Sequence, residues 1–343
     1  MLYVRIVSAF LVCLLLLPAR PAGLSGAQPM YPEVHCKHFF FGYPKGTPET
    51  NDLIIRDIYA LSSNDETKFA DWVAFRLTPQ EVVGAETLRR VWEKDPWLED
   101  GETLYPADFE GLSAIKCDRG HQAPLASFKG TREWQDTNYM SNITPQHAAL
   151  NEGAWKTLEE EERRLVEGGN ILYVMTGPVY KRGGGKERLP HCRKAYRIPD
   201  GYWRILGFYY DPECESDIPA VTALSADEAG GSASQRILLA AFFFPQDTPR
   251  DAKFWDYFCR VDDIEKMTGL DFLNELPEDD QAKIEGVDDH QWLMDALYSP
   301  AEPGPAGVTA RARTDSGAKL ALGGSSAHPA GLALAARRAA LHS

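Results

Sequence analysis

The sequence predicts an α+β fold, because segments of strand character and segments of helix character follow one another without regular alternation. The strand segments are rich in β-branched and aromatic residues, and two other segments carry apolar residues at helical spacing. The chain has 343 residues, of which 44% are hydrophobic and 11% aromatic, as is typical of a packed globular protein. The predicted strands are 70–77, 171–176, 202–210 and 236–244, and the predicted helices are 150–166 and 261–268.

Each of these segments has a local reason for its structure. The first strand, ADWVAFRL, carries two aromatic residues, and the other three are largely apolar runs that predict buried strands. The long helix places Trp155, Leu158 and Leu165 on one side and acids and arginines on the other. Glycine ends both helices, at Gly168 in the first and at Gly269 in the second.

The two ends of the chain predict segments outside the folded domain. Arg5 precedes an apolar run of 12 residues, whereas a membrane-spanning helix needs about 20. Residues 1–27 therefore predict a secretory signal peptide and export to the periplasm or the medium, with no stable membrane association after cleavage. An uncleaved anchor is the alternative. Residues 299–343, rich in alanine and glycine, predict a disordered tail, which leaves one domain over 28–298.

The charge pattern restricts how the protein can hold a polyanion. The formal net charge is −14, and removing the N-terminal arginines and the tail, whose net charge is +3, leaves −19 for the domain. A domain with this negative net charge does not bind nucleic acid through its overall charge. Residues 181–204, however, contain eight basic residues against two acids. This basic stretch is a candidate track for a phosphate backbone, and a solvated loop is the alternative.

Several other kinds of site lack support. The chain has no C-x-x-C pair and no G-x-S-x-G, which argues against a zinc ribbon, a thioredoxin-like site and the usual serine hydrolase. The segment 182–186 lacks the first glycine and the Ser/Thr of a P-loop. Five cysteines remain after signal removal, so one thiol stays unpaired. Cys117 is either buried beside the site or half of a disulfide.

The residues that carry chemistry lie in three motifs, DRGHQAP at 118–124, SNITPQ at 141–146 and LNEGAWKTLE at 150–159. In the last motif Asn151 and Glu159 share one helical stripe, because positions four apart step only about 40° around the axis. Phosphodiester hydrolysis needs a base, a hard cation held by oxygen ligands and an arginine. One histidine, one amide, one carboxylate and one arginine meet those needs.

Taken singly, each of these residues also has a structural interpretation. His121 is then a core histidine, and Asn151 caps its helix. Asn142 begins the sequence Asn-Ile-Thr, which is also a glycosylation sequon. Trp155 is interpreted as packing, and His147 is assigned no role, although it lies four residues before Asn151.

Together, the three motifs resemble the secreted, Serratia-type DNA/RNA non-specific endonuclease family. Further matches at TGPVY, IPDGYW and DDIEKMTGL extend the resemblance over residues 64–276. It implies an antiparallel central sheet flanked by helices, with an embedded ββα-metal motif. It also implies hydrolysis of DNA and RNA that depends on one Mg²⁺ ion, with Mn²⁺ as an expected substitute.

Matched residue by residue, the resemblance assigns a role to each motif position. His121 corresponds to the general base and Asn151 to the one direct protein ligand of Mg²⁺. Glu159 corresponds to the acid that orients water at the metal, and Asn142 to the asparagine that helps to position the site.

The resemblance also suggests substrate contacts. Arg119 falls beside the substrate path, and Arg90, with Arg89 adjacent, matches the arginine that stabilises the transition state. From the basic stretch, Lys186 and Arg188 are predicted to contact phosphates. The alternatives are a catalytically silent relative that binds nucleic acid or a partner protein, and a nuclease confined to one nucleic acid, like the eukaryotic organelle branch. A homodimer is compatible with the sequence, which leaves the oligomeric state open.

Overall fold

The computed structural model describes residues 34–84, 88–181, 183–185, 187–192, 194–209, 237–288 and 290–298. The predicted signal peptide and tail, and Lys186 of the basic stretch, lie outside these residues. Within the described part of the chain, no helix is long and apolar enough to cross a membrane.

The central sheet confirms the predicted α+β class. The strands are β1 (Asp52–Ile55), β2 (Ala60–Ser63), β3 (Ala70–Leu77), β4 (Cys117–His121), β5 (Ile143–His147), β6 (Leu172–Val179), β7 (Gly201–Tyr209), β8 (Ile237–Pro245) and β9 (Phe258–Cys259). Seven of them pair in the order β1-β2-β3-β6-β7-β8-β9, and every neighbouring pair is antiparallel. A separate two-stranded ribbon is formed by β4 and β5.

The predicted long helix is divided in two, and the division matters for the site. A one-turn helix ends at Asn151, and the long helix begins only at Ala154. Gly153 lies at the junction, where an added Cβ would collide with the carbonyl oxygens of Ala149 and Arg250. The helices are α1 (Pro79–Val82), α2 (Ala148–Asn151), α3 (Ala154–Glu167), α4 (Val261–Thr268), α5 (Glu278–Glu285) and α6 (Gln291–Tyr298).

Helix α3 is fixed to the sheet by its apolar face. The Trp155 ring lies 5.8 Å from the rings of both Tyr202 on β7 and Phe244 on β8. Trp155 and Leu158 are each at most 2% exposed. Truncating a buried tryptophan costs about 3–5 kcal/mol, so this contact holds the helix firmly enough to position the polar residues on its flank.

The β4–β5 ribbon carries the first two motifs. His121 pairs with Ile143 at one end of the ribbon, and Gly120 pairs with Thr144. A Cβ at Gly120 would lie 2.7 Å from Oε1 of Gln146, so glycine permits the close approach of the two strands. The backbone N–H of Ala148 donates to Lys116 O at 2.8 Å and ties the start of α2 to the ribbon. Two strands followed by a helix thus form one compact ββα unit.

Candidate active site

His121 lies at the end of β4 and lines a cleft of about 940 Å³. Its Nε2 lies 3.3 Å from Oδ1 of Asn138, and the Trp92 ring packs 5.2 Å away. An amide oxygen only accepts hydrogen bonds, so Nε2 carries the proton and Nδ1 has the basic lone pair. Burial, together with nearby Arg90, lowers the pKa of His121 to about 4. The ring is therefore neutral at pH 7, as a base must be.

Asn142 positions the residues around His121 from beneath the cleft. It is fully buried, and its Oδ1 accepts from the Ala123 N–H at 2.8 Å. Its Nδ2 donates to the carbonyls of Ala123 and Thr137, at 2.9 and 2.8 Å. Ala123 is close in sequence to His121, and Thr137 directly precedes Asn138, the partner of His121. A buried amide with three such bonds does not fit a glycosylated surface asparagine.

Asn151 is the last residue of α2 and not the cap of the long helix, so the capping interpretation is wrong. Its Nδ2 donates to Oδ2 of Asp118 at 3.0 Å. That bond orients the amide, and no described residue donates to its Oδ1. An oriented amide oxygen beside carboxylates is the ligand chemistry that a hard divalent cation prefers, so these residues fit a metal.

Glu159 brings a carboxylate from α3 to the same cleft. Burial raises the pKa of Glu159 to about 7, and Arg204 and Arg163 act against that rise. Nη1 of Arg204 lies 4.0 Å from Oε1 of Glu159. A neighbouring cation favours the ionised form, so the arginines help to keep Glu159 available as an anion.

The sequence analysis missed the buried ion pair behind this carboxylate. Arg204 on β7 binds Glu162 on α3 through two contacts, at 2.5 and 2.7 Å, and both side chains are 0% exposed. The guanidinium also lies 4.9 Å from the Trp155 ring centroid. Glu162 follows Glu159 by three positions, so helical spacing indicated a shared face but not the partner on β7.

The cleft brings together five of the predicted residues, His121, Asn151, Glu159, Arg90 and Arg119. Asn142 lies behind its wall. Additional residues that sequence reasoning did not select also line it, namely Trp92, Asp118, Lys156, Arg163 and Arg250.

The two arginines assigned to the substrate, Arg90 and Arg119, differ in how their side chains are held. Arg90 lines the cleft, whereas the adjacent Arg89 is not among the lining residues. Arg119 is fixed by a hydrogen bond from its Nη2 to Pro106 O at 2.9 Å. Its guanidinium lies 5.6 Å from the Trp92 ring centroid. One arginine is therefore exposed at the cleft, and the other is oriented by contacts.

None of the basic residues of 181–204 that the structure describes lines the cleft that holds His121. Arg204 is buried in its ion pair and is not available to a substrate, so counting it as a surface cation was wrong. Arg197 pairs with Asp200. Arg188 donates to Glu187 O at 2.8 Å and lines a second cleft of about 510 Å³, not the one that holds His121.

Cys117 is buried beside the site and lines the cleft. Burial raises the pKa of its thiol to about 12, so it is protonated at neutral pH. No disulfide joins any two of the cysteines within the described ranges, which are Cys36, Cys117, Cys192 and Cys259. Of the two alternatives for Cys117, the buried thiol is the one observed.

Comparison with known proteins agrees with this geometry. Residues 40–279 match the family described as DNA/RNA non-specific endonuclease. A nuclease of Serratia marcescens is 42% identical over 246 residues, covering 71% of this chain and 82% of the relative. Human mitochondrial endonuclease G is 32% identical over 137 residues, or 39% of this chain and 45% of the relative. A crystal structure of an EndoG/EndoGI complex is similar in fold, with a TM-score of 0.54 at 20% identity over 69% of this chain and 90% of that one.

Proposed function

Because the chain belongs to the DNA/RNA non-specific endonuclease family, we propose that His121 is the general base of a Mg²⁺-dependent hydrolysis of DNA and RNA. Endonuclease activity and dependence on a divalent metal are properties of the family. The observation that carries the assignment is the convergence of His121, Asn151, Glu159 and Arg90 on one cleft.

His121 acts on the attacking water. Nε2–H donates to Asn138 and holds the ring, while Nδ1 takes a proton from water. The resulting hydroxide forms a bond to phosphorus as the bond from phosphorus to the 3′-oxygen breaks, and the 3′-oxygen leaves with a proton from solvent. Burial keeps the ring neutral before the reaction.

Asn151 and Glu159 are the residues assigned to the metal ion and its water. Asn151 would hold Mg²⁺ through its Oδ1, and Glu159, which lines the same cleft, would orient water beside the ion. When bound, the cation stabilises charge on the phosphate and on the leaving oxygen. Asp118 fixes the asparagine amide, and Arg204 supports the ionised form of Glu159.

The cations that line the cleft bind the scissile phosphate and its neighbours. Arg90 approaches the reacting phosphate and stabilises its transition state, and Arg119, which also lines the cleft, lies beside the substrate path. Arg188 contacts the backbone further along, in the second cleft. Contacts of this kind are made to phosphate and carry no base preference, which suits an enzyme that cleaves both nucleic acids.

Export of the enzyme is proposed from the N-terminal segment of the sequence. Relatives include bacterial nucleases and proteins named as mitochondrial, so the family alone does not fix the compartment. Export and a homodimer both remain predictions from the sequence.

Replacing Asn151 with alanine is expected to raise the Mg²⁺ concentration for half-maximal cleavage by at least about tenfold, because the variant lacks the oxygen ligand. Asn151→Asp keeps an oxygen ligand and should show a smaller increase. The measurement is a Mg²⁺ titration of plasmid cleavage after treatment with EDTA. Equal Mg²⁺ dependence in the wild type and Asn151→Ala would contradict the assignment of this ligand.

Charge reversal at the two clefts tests the substrate contacts. Lys156→Glu and Arg188→Glu should each raise KM more than they lower kcat, because phosphate contacts mainly bind the ground state. The increase should be larger for Lys156, whose side chain is 61% exposed at the catalytic cleft. Steady-state kinetics at several salt concentrations measure both parameters.

Lys283→Glu is a matched control, since Lys283 is similarly exposed, at 63%, and pairs with an acid three positions away. It lines neither of the two clefts. A rise in KM as large in Lys283→Glu as in Lys156→Glu would show that overall charge, and not the cleft, governs binding. If Lys156→Glu or Arg188→Glu lowered kcat by as large a factor as it raised KM, that result would contradict a role in substrate binding.

A further inference from the structure

A second group of carboxylates lies on α4 and α5, outside the catalytic cleft. Oxygen atoms of Asp262, Glu265 and Glu285 lie within 4.8 Å of one another. None of the three lines the cleft that holds His121. Asp262 and Glu265 are on α4, and Glu285 is the last residue of α5. The cluster therefore joins two helices that are separate in sequence.

Glu285 is the member that calls for an explanation. It is 4% exposed, and its buried Oε1 has no hydrogen-bond partner. Burial and the neighbouring Glu265 raise the pKa of Glu285 to about 8, with smaller effects in the same direction from Asp271 and Asp262. The charged groups with the largest effects on this pKa are all acids, and a side-chain hydrogen bond with Gln281 acts against them. A buried carboxylate with one unsatisfied oxygen is costly unless a positive charge or a proton neutralises it.

The polar groups around the cluster contact some of its oxygens but not Oε1 of Glu285. One oxygen of Glu265 accepts the Phe272 N–H at 3.0 Å, and Gln281 donates to Asp271 at 3.0 Å. Lys266 lies 3.7 Å from Asp262, but its side chain is 66% exposed and it also approaches Asp263. Its charge therefore acts at the exposed edge, while Glu285 is at the buried end.

We propose that Asp262, Glu265 and Glu285 bind a hard divalent cation such as Ca²⁺ at a site separate from the catalytic cleft. Ca²⁺ holds oxygen ligands at about 2.3–2.6 Å, so two ligands of one ion lie at most about 5 Å apart. The observed separation of at most 4.8 Å allows one ion to contact all three carboxylates. Bound there, the cation neutralises Glu285 and joins α4 to α5.

The test combines calorimetry and thermal unfolding on metal-free protein at pH 9, where Glu285 is ionised. Asn151→Ala serves as the background, so that metal binding at the catalytic cleft is weakened. We expect Ca²⁺ to bind with a stoichiometry of one and to raise Tm by several degrees. Adding Glu285→Gln should weaken binding at least about tenfold and remove the rise in Tm.

Two comparisons separate the cation site from a merely strained cluster. In EDTA, Glu285→Gln should be at least as stable as its parent, because the substitution removes an unpaired buried charge. Glu102→Gln alters the other acidic group, formed by Asp52, Asp65 and Glu102, and should leave Ca²⁺ binding unchanged. Absence of Ca²⁺ binding in the background protein, or binding that persists in Glu285→Gln, would overturn the proposal. Because activity is not measured, failure here would not affect the assignment of the endonuclease site.

Discussion

Replacing His121 with alanine is expected to lower kcat by about 10²- to 10⁴-fold, the range typical for loss of a general base. The residue lies at the end of β4, lines the cleft and has a pKa of about 4, so it is neutral at the pH of the assay. Its substitution removes the proton acceptor and leaves the cations of the cleft in place. KM should therefore change much less than kcat, as steady-state kinetics would show.

His147→Ala is the matched control for this variant. His147 lies on β5 and approaches Glu187 at 3.5 Å, and it is not among the residues that line the cleft. It should keep near wild-type kcat. Added imidazole should restore part of the activity of His121→Ala, because a diffusible base can enter the space beside Trp92. A kcat for His121→Ala within a few-fold of wild type would show that another group is the base.

Replacing Arg204 with methionine is expected to lower the free energy of unfolding by about 3–5 kcal/mol, because Glu162 is left as an unpaired buried charge. Both side chains are 0% exposed, so water cannot take the place of the arginine. The acid limb of the pH–activity profile should also move to higher pH. The reason is that Arg204 lowers the pKa of Glu159, and removing the cation lets that pKa rise.

The double variant Arg204→Met with Glu162→Leu distinguishes two causes of the stability loss, the unpaired buried charge and the changed packing. It should recover most of the lost stability in urea unfolding, since no charge is then left alone. Arg260→Met breaks an exposed pair with Asp263, with side chains 42% and 37% exposed. It should cost less than about 1 kcal/mol. A loss as small for Arg204→Met as for Arg260→Met would contradict the importance of the buried pair.

The sequence was sufficient to predict the residues whose chemistry is carried by short motifs. DRGH ends a strand, and a strand paired with its neighbour places His121 at a defined point. Helical periodicity predicted one stripe for Asn151 and Glu159, but the chain breaks at Gly153 and they lie on different helices, α2 and α3. Both residues nevertheless line the same cleft.

Contacts between distant segments were beyond prediction from the sequence. Arg204 was counted with a basic stretch because charge runs are visible in a sequence, whereas burial against α3 is not. Asn138 lies 17 residues from His121 and in no recognised motif, yet it holds the imidazole. Lys156 and Arg250 reach the cleft from α3 and from the loop after β8. Their positions depend on tertiary packing.

The most direct test is digestion of plasmid DNA and of RNA by the purified protein with Mg²⁺, with EDTA, and with His121→Ala in place of the wild type. We predict that the wild type cleaves both substrates in Mg²⁺, that EDTA abolishes cleavage of both, and that the folded His121→Ala variant cleaves neither at a comparable rate. Cleavage that survives the substitution would place the reaction at another site. Absence of cleavage by folded, Mg²⁺-loaded wild type would indicate a catalytically silent binding protein.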